Sequence, residues 1–94
     1  MNKNLYPTLH PQVASTVVDD QAVVVLADSG NVMVLNELSA RIWQLCDGTR
    51  SVEEITLFIL KEYEVEAEIA RKDTNEFLTK MVEMQAIVLR EELS

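Results

Sequence analysis

The sequence holds very little of what a catalytic or metal site needs. Of its 94 residues only His10 is a histidine, only Cys46 is a cysteine and only two are glycines. A single histidine forms neither a catalytic triad nor a histidine-rich metal site, and a single cysteine cannot close an internal disulfide. Gly30 and Gly48 are too far apart to form a glycine-rich phosphate loop. The sequence therefore predicts a protein that is not an enzyme and uses no cofactor.

Basic residues and long apolar runs are also scarce. The chain has 8 Lys and Arg against 16 Asp and Glu, a formal net charge of -8. Nucleic acids and anionic membranes bind clustered Lys and Arg, so both are predicted to be poor partners. No run approaches the roughly 18 apolar residues of a membrane span, and the N-terminus lacks the apolar run of a secretory signal. With a lone cysteine, these absences predict a cytoplasmic protein.

The hydrophobic period changes once along the chain, from strand-like to helix-like. Residues 1–12 hold both prolines and are predicted to form an extended arm. Three β-rich runs follow, at Val13–Val18, Ala22–Ala27 and Val32–Leu35, and their short links predict an antiparallel meander in sequence order. The middle run is apolar almost throughout, which is typical of a central strand covered on both faces. Gly30 is predicted to take a positive φ in the turn that follows the middle run.

Capping residues mark the helices that follow. Asn36 is predicted to cap the first helix, and Gly48 is predicted to close it as a C-terminal cap. Ser51 and Glu54 match the capping box of a second helix, in which each side chain bonds to the other residue's backbone N–H. An apolar stripe predicts a third helix over about residues 67–84.

The order of three strands, three helices and a short last strand at Ile87–Leu89 is typical of an α+β, winged-helix-like domain. That domain is predicted over residues 13–90, after an N-terminal arm at residues 1–12 and before a tail at residues 91–94. A winged-helix pattern also raises DNA binding by the third helix. The slightly negative charge of that helix disfavours this alternative.

The third β-rich run is predicted to lie at an edge of the sheet. Edge strands are usually protected by Lys, Pro or an inward charge, and Val32–Leu35 has none of these. Such an edge can accept a further strand, because its free N–H and C=O groups are already aligned. The pattern leaves open whether that strand is a foreign peptide, a second copy in a homodimer, the chain's own arm or its last strand.

Several motifs, read together, resemble the coenzyme PQQ synthesis protein D family. They are Leu35-Asn36-Glu37, Ile42-Trp43-Gln44-Leu45, Asp47-Gly48-Thr49-Arg50-Ser51-Val52 and Ile55, then Asp73 and Phe77-Leu78. The similarity covers about residues 13–89. It implies three strands packed on three helices, in a module without catalytic residues or cofactor. Such a module binds the leader segment of a ribosomally made precursor peptide and presents it to a modifying enzyme, in the PQQ pathway a radical S-adenosylmethionine enzyme.

The resemblance also implies which residues form the peptide site. The leader joins the third strand as an added strand, so the implied strand contacts are Val32, Met33, Val34 and Leu35. The implied contacts on the third helix are Asp73, Phe77, Leu78 and Met81. The residues interpreted as structural caps and a tight turn are Asn36, Asp47, Gly48, Arg50 and Ser51, with Arg50 expected to pair with a nearby carboxylate.

This chain departs from the family at one place. Many members have a glycine after the third helix, where Gln85 and Ala86 stand here. A chain reversal commonly uses glycine because glycine freely takes a positive φ. The pattern therefore does not establish the last strand.

Overall fold

The structure is a computed structural model that describes residues 2–19, 21–26 and 29–91. Its elements are, in order, β1 (Tyr6–Leu9), β2 (Ala14–Val18), β3 (Gln21–Val25), β4 (Val32–Leu35), α1 (Glu37–Leu45), α2 (Val52–Glu62), α3 (Ala67–Glu83) and β5 (Ile87–Arg90). β2, β3 and β4 form an antiparallel sheet in sequence order, and β1 pairs with β5 in a separate two-stranded sheet. The predicted α+β class, the meander, the three helices and the last strand are confirmed.

The central strand β3 is covered on one face only. Ala22 and Val24 are completely buried in the core, whereas Val23 is half-buried and Val25 is 36% exposed. The prediction that both faces of the middle run are covered is therefore wrong. The run is apolar throughout because its outward positions are also valines, a β-branched residue type that suits a half-buried sheet surface. The predicted strand end at Ala27 lies outside the described residues.

The helices begin where the capping residues predicted. The side chain of Asn36 accepts a 2.9 Å hydrogen bond from the backbone N–H of Ser39 and so caps α1. Ser51 and Glu54 form the predicted capping box of α2, with both reciprocal bonds present. α1 ends earlier than predicted, with Cys46 as its C-cap, so Gly48 is not the helix cap. Gly48 instead takes a φ of 83° in the turn that leads to α2.

The N-terminal residues predicted as an arm are integrated into the fold. β1 lies within them and pairs with β5, from Tyr6 opposite Arg90 to Leu9 opposite Ile87. The carbonyl of Pro7, a fully buried residue, accepts a 2.9 Å hydrogen bond from the N–H of Gly48. Local sequence patterns cannot indicate this pairing, because the two strands lie far apart in the chain. β1 and β5 therefore pair with each other and not with a strand of the three-stranded sheet.

The chain reversal after α3 is made without glycine. Gln85 takes a φ of 59°, in the left-handed region that L-residues seldom adopt. Its N–H donates to the carbonyl of Val82 at 3.0 Å, and the N–H of Ala86 donates to the carbonyl of Met81 at 2.9 Å. These two bonds form a Schellman motif, which satisfies carbonyls that a helix end leaves free. The motif turns the chain into β5.

The core lies between the inner face of the three-stranded sheet and the three helices. It includes Leu35 of β4, Trp43 of α1, Ile55 of α2 and Leu78 of α3, each at most 5% exposed. α3 packs mainly on α2 and β5. Among the helices in the described part of the chain, none is long and apolar enough to cross a membrane.

Candidate functional site

β4 lies at the border of the three-stranded sheet. Its residues pair with β3 alone, Val34 opposite Val23 and Val32 opposite Val25. Within residues 2–19, 21–26 and 29–91, no strand pairs with the other side of β4. β1 and β5 pair with each other, so neither the arm nor the last strand covers this edge in the chain itself. Two of the alternatives left open by the sequence are thereby removed.

The register shows which backbone groups of β4 face the open edge. The N–H of Leu26 donates a 2.9 Å hydrogen bond to the carbonyl of Asn31, next to the facing pair Val25 and Val32. In an antiparallel ladder, hydrogen-bonded and non-hydrogen-bonded pairs alternate. Val25 and Val32 are therefore a non-hydrogen-bonded pair, and so are Val23 and Val34. The N–H and C=O groups of Val32 and Val34 point away from β3, toward the open edge.

The side chains of β4 divide between the two faces of the sheet. Val32 is 62% exposed and Val34 is 65% exposed, both on the outer face. Met33 is half-buried and Leu35 is buried, and both face the core. The structure thus places all four residues implied as strand contacts on the edge strand. It also shows that they offer backbone groups and two exposed valines rather than four equivalent side chains.

A groove of about 320 Å³ lies between α3 and the start of α1. Asn36, which directly follows β4, is at one side of it, so the groove begins where the edge strand ends. Its lining consists of Asn36, Leu38, Ser39 and Ile42 from the first helix region and Asp73, Glu76, Phe77 and Lys80 from α3. The lining thus combines apolar side chains with polar and charged ones.

The structure places the four residues implied as contacts on α3 in two different environments. Asp73 and Phe77 are half-buried and line the groove, one helical turn apart. Leu78 and Met81 are completely buried in the core, so the surface presents neither side chain. These two residues pack α3 against the core. Helical spacing predicts that these residues lie along one stripe of α3, but it does not predict which side of that stripe is buried.

Five groove residues were not expected from the sequence, namely Leu38, Ser39, Ile42, Glu76 and Lys80. The spacing of α3 carried a usable signal, because Glu76 and Lys80 follow Asp73 at intervals of three and four residues. Such residues share one side of a helix. Nothing in the pattern indicated that the start of α1 faces that side. This contact depends on the packing of elements that are distant in sequence.

The turn between α1 and α2 is held by hydrogen bonds to the carboxylate of Asp47. Asp47 accepts hydrogen bonds from the hydroxyl of Thr49 at 2.5 Å and from its backbone N–H at 2.9 Å. Arg50 donates to the same carboxylate at 3.1 Å, which confirms the expected ion pair. The Thr49 bonds, and to a smaller extent Arg50, lower the pKa of Asp47. The turn thereby fixes where α2 begins relative to α1.

An ion pair holds α3, the wall of the groove, against α2. Arg71 donates two hydrogen bonds to the carboxylate of Glu53, one of them from Nη2 to Oε1 at 3.0 Å. Arg71 thereby lowers the pKa of Glu53. A two-pronged pair of this kind fixes orientation as well as distance. It lies in the first turn of α2 and near the start of α3, so it fixes the starts of these two helices relative to each other.

The opposite edge of the sheet offers no comparable site. Every residue of β2 is exposed. The two edges of the sheet differ because β4 ends at Asn36, which lines the groove between α1 and α3.

In the ranges that the structure describes, no group of three or more His, Cys, Asp and Glu could hold a metal ion. Cys46 is 1% exposed, and burial raises the pKa of its thiol to about 12. A thiol in that state supplies almost no thiolate at neutral pH.

Comparison with known proteins gives consistent results. The model of the coenzyme PQQ synthesis protein D family matches residues 21–87. The structure of TbiB1 in complex with the TbiA(beta) leader peptide is 26% identical, with 85% of this chain and 93% of that chain covered and a TM-score of 0.79. Lasso peptide synthetase B1 complexed with the leader peptide is 30% identical, with 88% and 98% covered and a TM-score of 0.76.

A third structure, of the heterocyclase TruD, is 15% identical and matches over 90% of this chain but 11% of that one, with a TM-score of 0.64, and shows the shared fold alone. No curated protein sequence matches this chain. The family model covers well over half of the sequence, and both leader-peptide complexes align over most of it. The chain therefore belongs to the coenzyme PQQ synthesis protein D family.

Proposed function

We propose that this protein is a non-catalytic chaperone that binds the leader segment of a ribosomally made precursor peptide as an added strand beside β4. The module then presents the peptide to a modifying enzyme in the cytoplasm. The strand contacts are the backbone groups of Val32 and Val34. The helix contacts are Asp73 and Phe77 along the groove.

The observation that carries this proposal is the open edge of β4 next to a groove. A peptide strand placed there would bond to the outward N–H and C=O groups of Val32 and Val34. Alternate side chains of that peptide would then point toward the groove, where Leu38 and Phe77 provide apolar surface. The two leader-peptide complexes with similar folds support a peptide as the occupant.

Proline substitution tests the backbone contact directly. Val34→Pro removes an N–H that points toward the open edge, so the ladder between β3 and β4 keeps its hydrogen bonds. Val17→Pro is the matched control. By the same alternation, the N–H of Val17 points outward from β2, at the edge of the sheet without a groove. Both variants exchange an exposed valine for proline.

Binding is measured by isothermal titration with the leader peptide of a precursor encoded beside the gene for this chain. We expect Val34→Pro to weaken binding at least tenfold while Val17→Pro binds like the unmodified protein. Circular dichroism establishes that both variants are folded. Equal binding by folded Val34→Pro and the unmodified protein would show that strand addition is wrong.

The same edge also favours a homodimer as a second candidate, because Val32 and Val34 are more than 60% exposed on it. Pairing of two β4 strands would satisfy the same backbone groups. Sedimentation velocity over a range of concentrations, with and without leader peptide, separates the two functions. A dimer that persists in excess peptide supports self-assembly, whereas a dimer that dissociates, or a monomer throughout, supports peptide binding.

A further inference from the structure

The groove beside β4 carries charges that the protein itself leaves unmatched. Asp73 and Glu76 contribute two carboxylates to its lining, and Lys80 contributes one ammonium group. In the described ranges, none of the three makes an ion pair or a side-chain hydrogen bond. By contrast Arg41, Arg50 and Arg71 are each paired with a carboxylate within the fold.

The unmatched groups are ordered along α3. Asp73 and Phe77 are one turn apart, and Glu76 and Lys80 form a neighbouring row one turn apart. The two carboxylates therefore lie toward the N-terminal part of this wall and Lys80 lies about one turn, roughly 5 Å, further on. Residues on the same side of a peptide strand are spaced by roughly 6.6 Å. Successive inward side chains of a bound strand would thus meet different charges.

Partial burial makes the charge of Asp73 selective, whereas Glu76 and Lys80 are exposed. Asp73 is already half-buried without a ligand, and a peptide lying in the groove would remove more water from it. A carboxylate that loses water without gaining a cation weakens binding, whereas a cationic partner offsets that loss. Acidic side chains at the same position would be repelled. The net charge of -8 adds a general attraction for basic peptides.

We propose that the groove selects peptides with a Lys or Arg at one inward-facing position, set against Asp73 and Glu76, next to a large apolar side chain packed on Phe77 and Leu38. This inference rests on the proposed strand addition and names the chemistry of the peptide. The basic residue fixes the register of the peptide along β4. The exposed valines of β4 provide no such register, because one valine resembles the next.

A displayed random library tests this preference. The probe is a pool of random 15-residue peptides, selected in parallel on the unmodified protein, on the double variant Asp73→Asn/Glu76→Gln and on Glu64→Gln. Glu64 lies between α2 and α3, is exposed and does not line the groove. Its substitution therefore controls for the loss of an acidic side chain away from the groove. Sequencing reports how often each residue type occurs at each position relative to a large apolar residue.

We expect Lys and Arg to be enriched at one fixed distance from that apolar residue on the unmodified protein and on Glu64→Gln. The double variant should lose this enrichment and bind individual selected peptides roughly 3- to 10-fold more weakly. Equal enrichment on the double variant, or no positional preference at all, would overturn the inference.

The selected peptides also separate this inference from the proposed function. Peptides that bind Val34→Pro as tightly as the unmodified protein would show that strand addition itself is wrong. Peptides that need Val34 but show no basic position would leave strand addition intact and remove only the charge preference. A rise in NaCl concentration from 0.05 to 0.5 M should weaken the basic peptides more than uncharged ones.

Discussion

The backbone N–H of Ala86 donates a 2.9 Å hydrogen bond to the carbonyl of Met81, across a left-handed residue, Gln85. This bond turns the chain from α3 into β5, which in turn holds β1. A side chain with a β-carbon occupies a position that glycine fills at lower cost. The end of α3 therefore stores a strain that a single substitution can remove.

Gln85→Gly is expected to stabilise the protein by about 0.5–1 kcal/mol, because relief of the left-handed strain exceeds the added freedom of glycine in the unfolded chain. Thermal unfolding should show a rise in Tm of a few degrees. Gln85→Ala keeps the β-carbon and should show no comparable gain. A decrease in Tm for Gln85→Gly would mean that the Gln85 side chain contributes contacts that outweigh the strain.

Phe77 and Leu78 are neighbours in sequence whose truncation should affect different properties, peptide binding for Phe77 and stability for Leu78. Leu78→Ala removes a completely buried side chain and should lower the free energy of unfolding by about 2–5 kcal/mol. Phe77→Ala removes a half-buried side chain from the groove wall and should cost less stability but weaken leader binding. Urea unfolding and peptide titration measure the two effects. A Phe77→Ala variant with unchanged peptide affinity would contradict the assignment of Phe77 to the site.

Removal of residues 1–10 should destabilise the protein strongly. The deletion takes away β1, the buried Pro7, and the carbonyls that accept from the N–H groups of Gly48 and Val52. Each lost hydrogen bond costs about 0.5–1.5 kcal/mol, so the total should reach about 3 kcal/mol or more. Urea unfolding compares this deletion with one of the first two residues. Equal stability of the two deletions would show that β1 contributes little.

Cys46 should resist thiol reagents in the folded protein. Burial raises the pKa of its thiol to about 12, so the reactive thiolate is nearly absent at pH 8. Reaction with Ellman's reagent should be slow in buffer and complete within minutes in 6 M guanidinium chloride. Fast reaction under native conditions would contradict the burial of Cys46. At pH above about 9 the unfolded state gains stability by ionising this thiol, so protein stability should fall as the pH rises.

Asp47 should make a small contribution to the pH dependence of stability. Its hydrogen bonds from Thr49 lower its pKa below the ordinary value of 3.8, so its stabilising effect is full above that value and is lost as the pH falls through the lower, folded-state pKa. Asp47→Asn should therefore be less stable than the unmodified protein at pH 7. The difference should stay below about 1 kcal/mol, because the carboxylate is largely solvated.

Urea unfolding at pH 7 and at pH 3 checks this contribution. The gap in stability between Asp47→Asn and the unmodified protein should shrink at the lower pH, where the carboxylate takes up a proton. A gap of the same size at both pH values would mean that shape, rather than charge, makes Asp47 fit the turn.

The sequence by itself determined the elements whose causes are local. Caps at Asn36 and Ser51, the turn at Gly30 and the periods of the strands and helices follow from interactions within a few residues, and the structure has them. The motifs between Leu35 and Leu78, read together, were likewise sufficient for the family. Such features are readable because propensity and hydrogen-bonding capacity belong to the residues themselves.

Only the tertiary structure decided where the elements meet. The pairing of β1 with β5, the open face of β3 and the burial of Leu78 and Met81 beside the exposed Glu76 depend on contacts between distant segments. The groove exists because the start of α1 faces one side of α3. Its carboxylates lack a cationic partner because the arginines pair with other carboxylates. Periodicity shows that a helix has an apolar side. Packing decides which residues of that side are buried in the protein and which stay available to a partner.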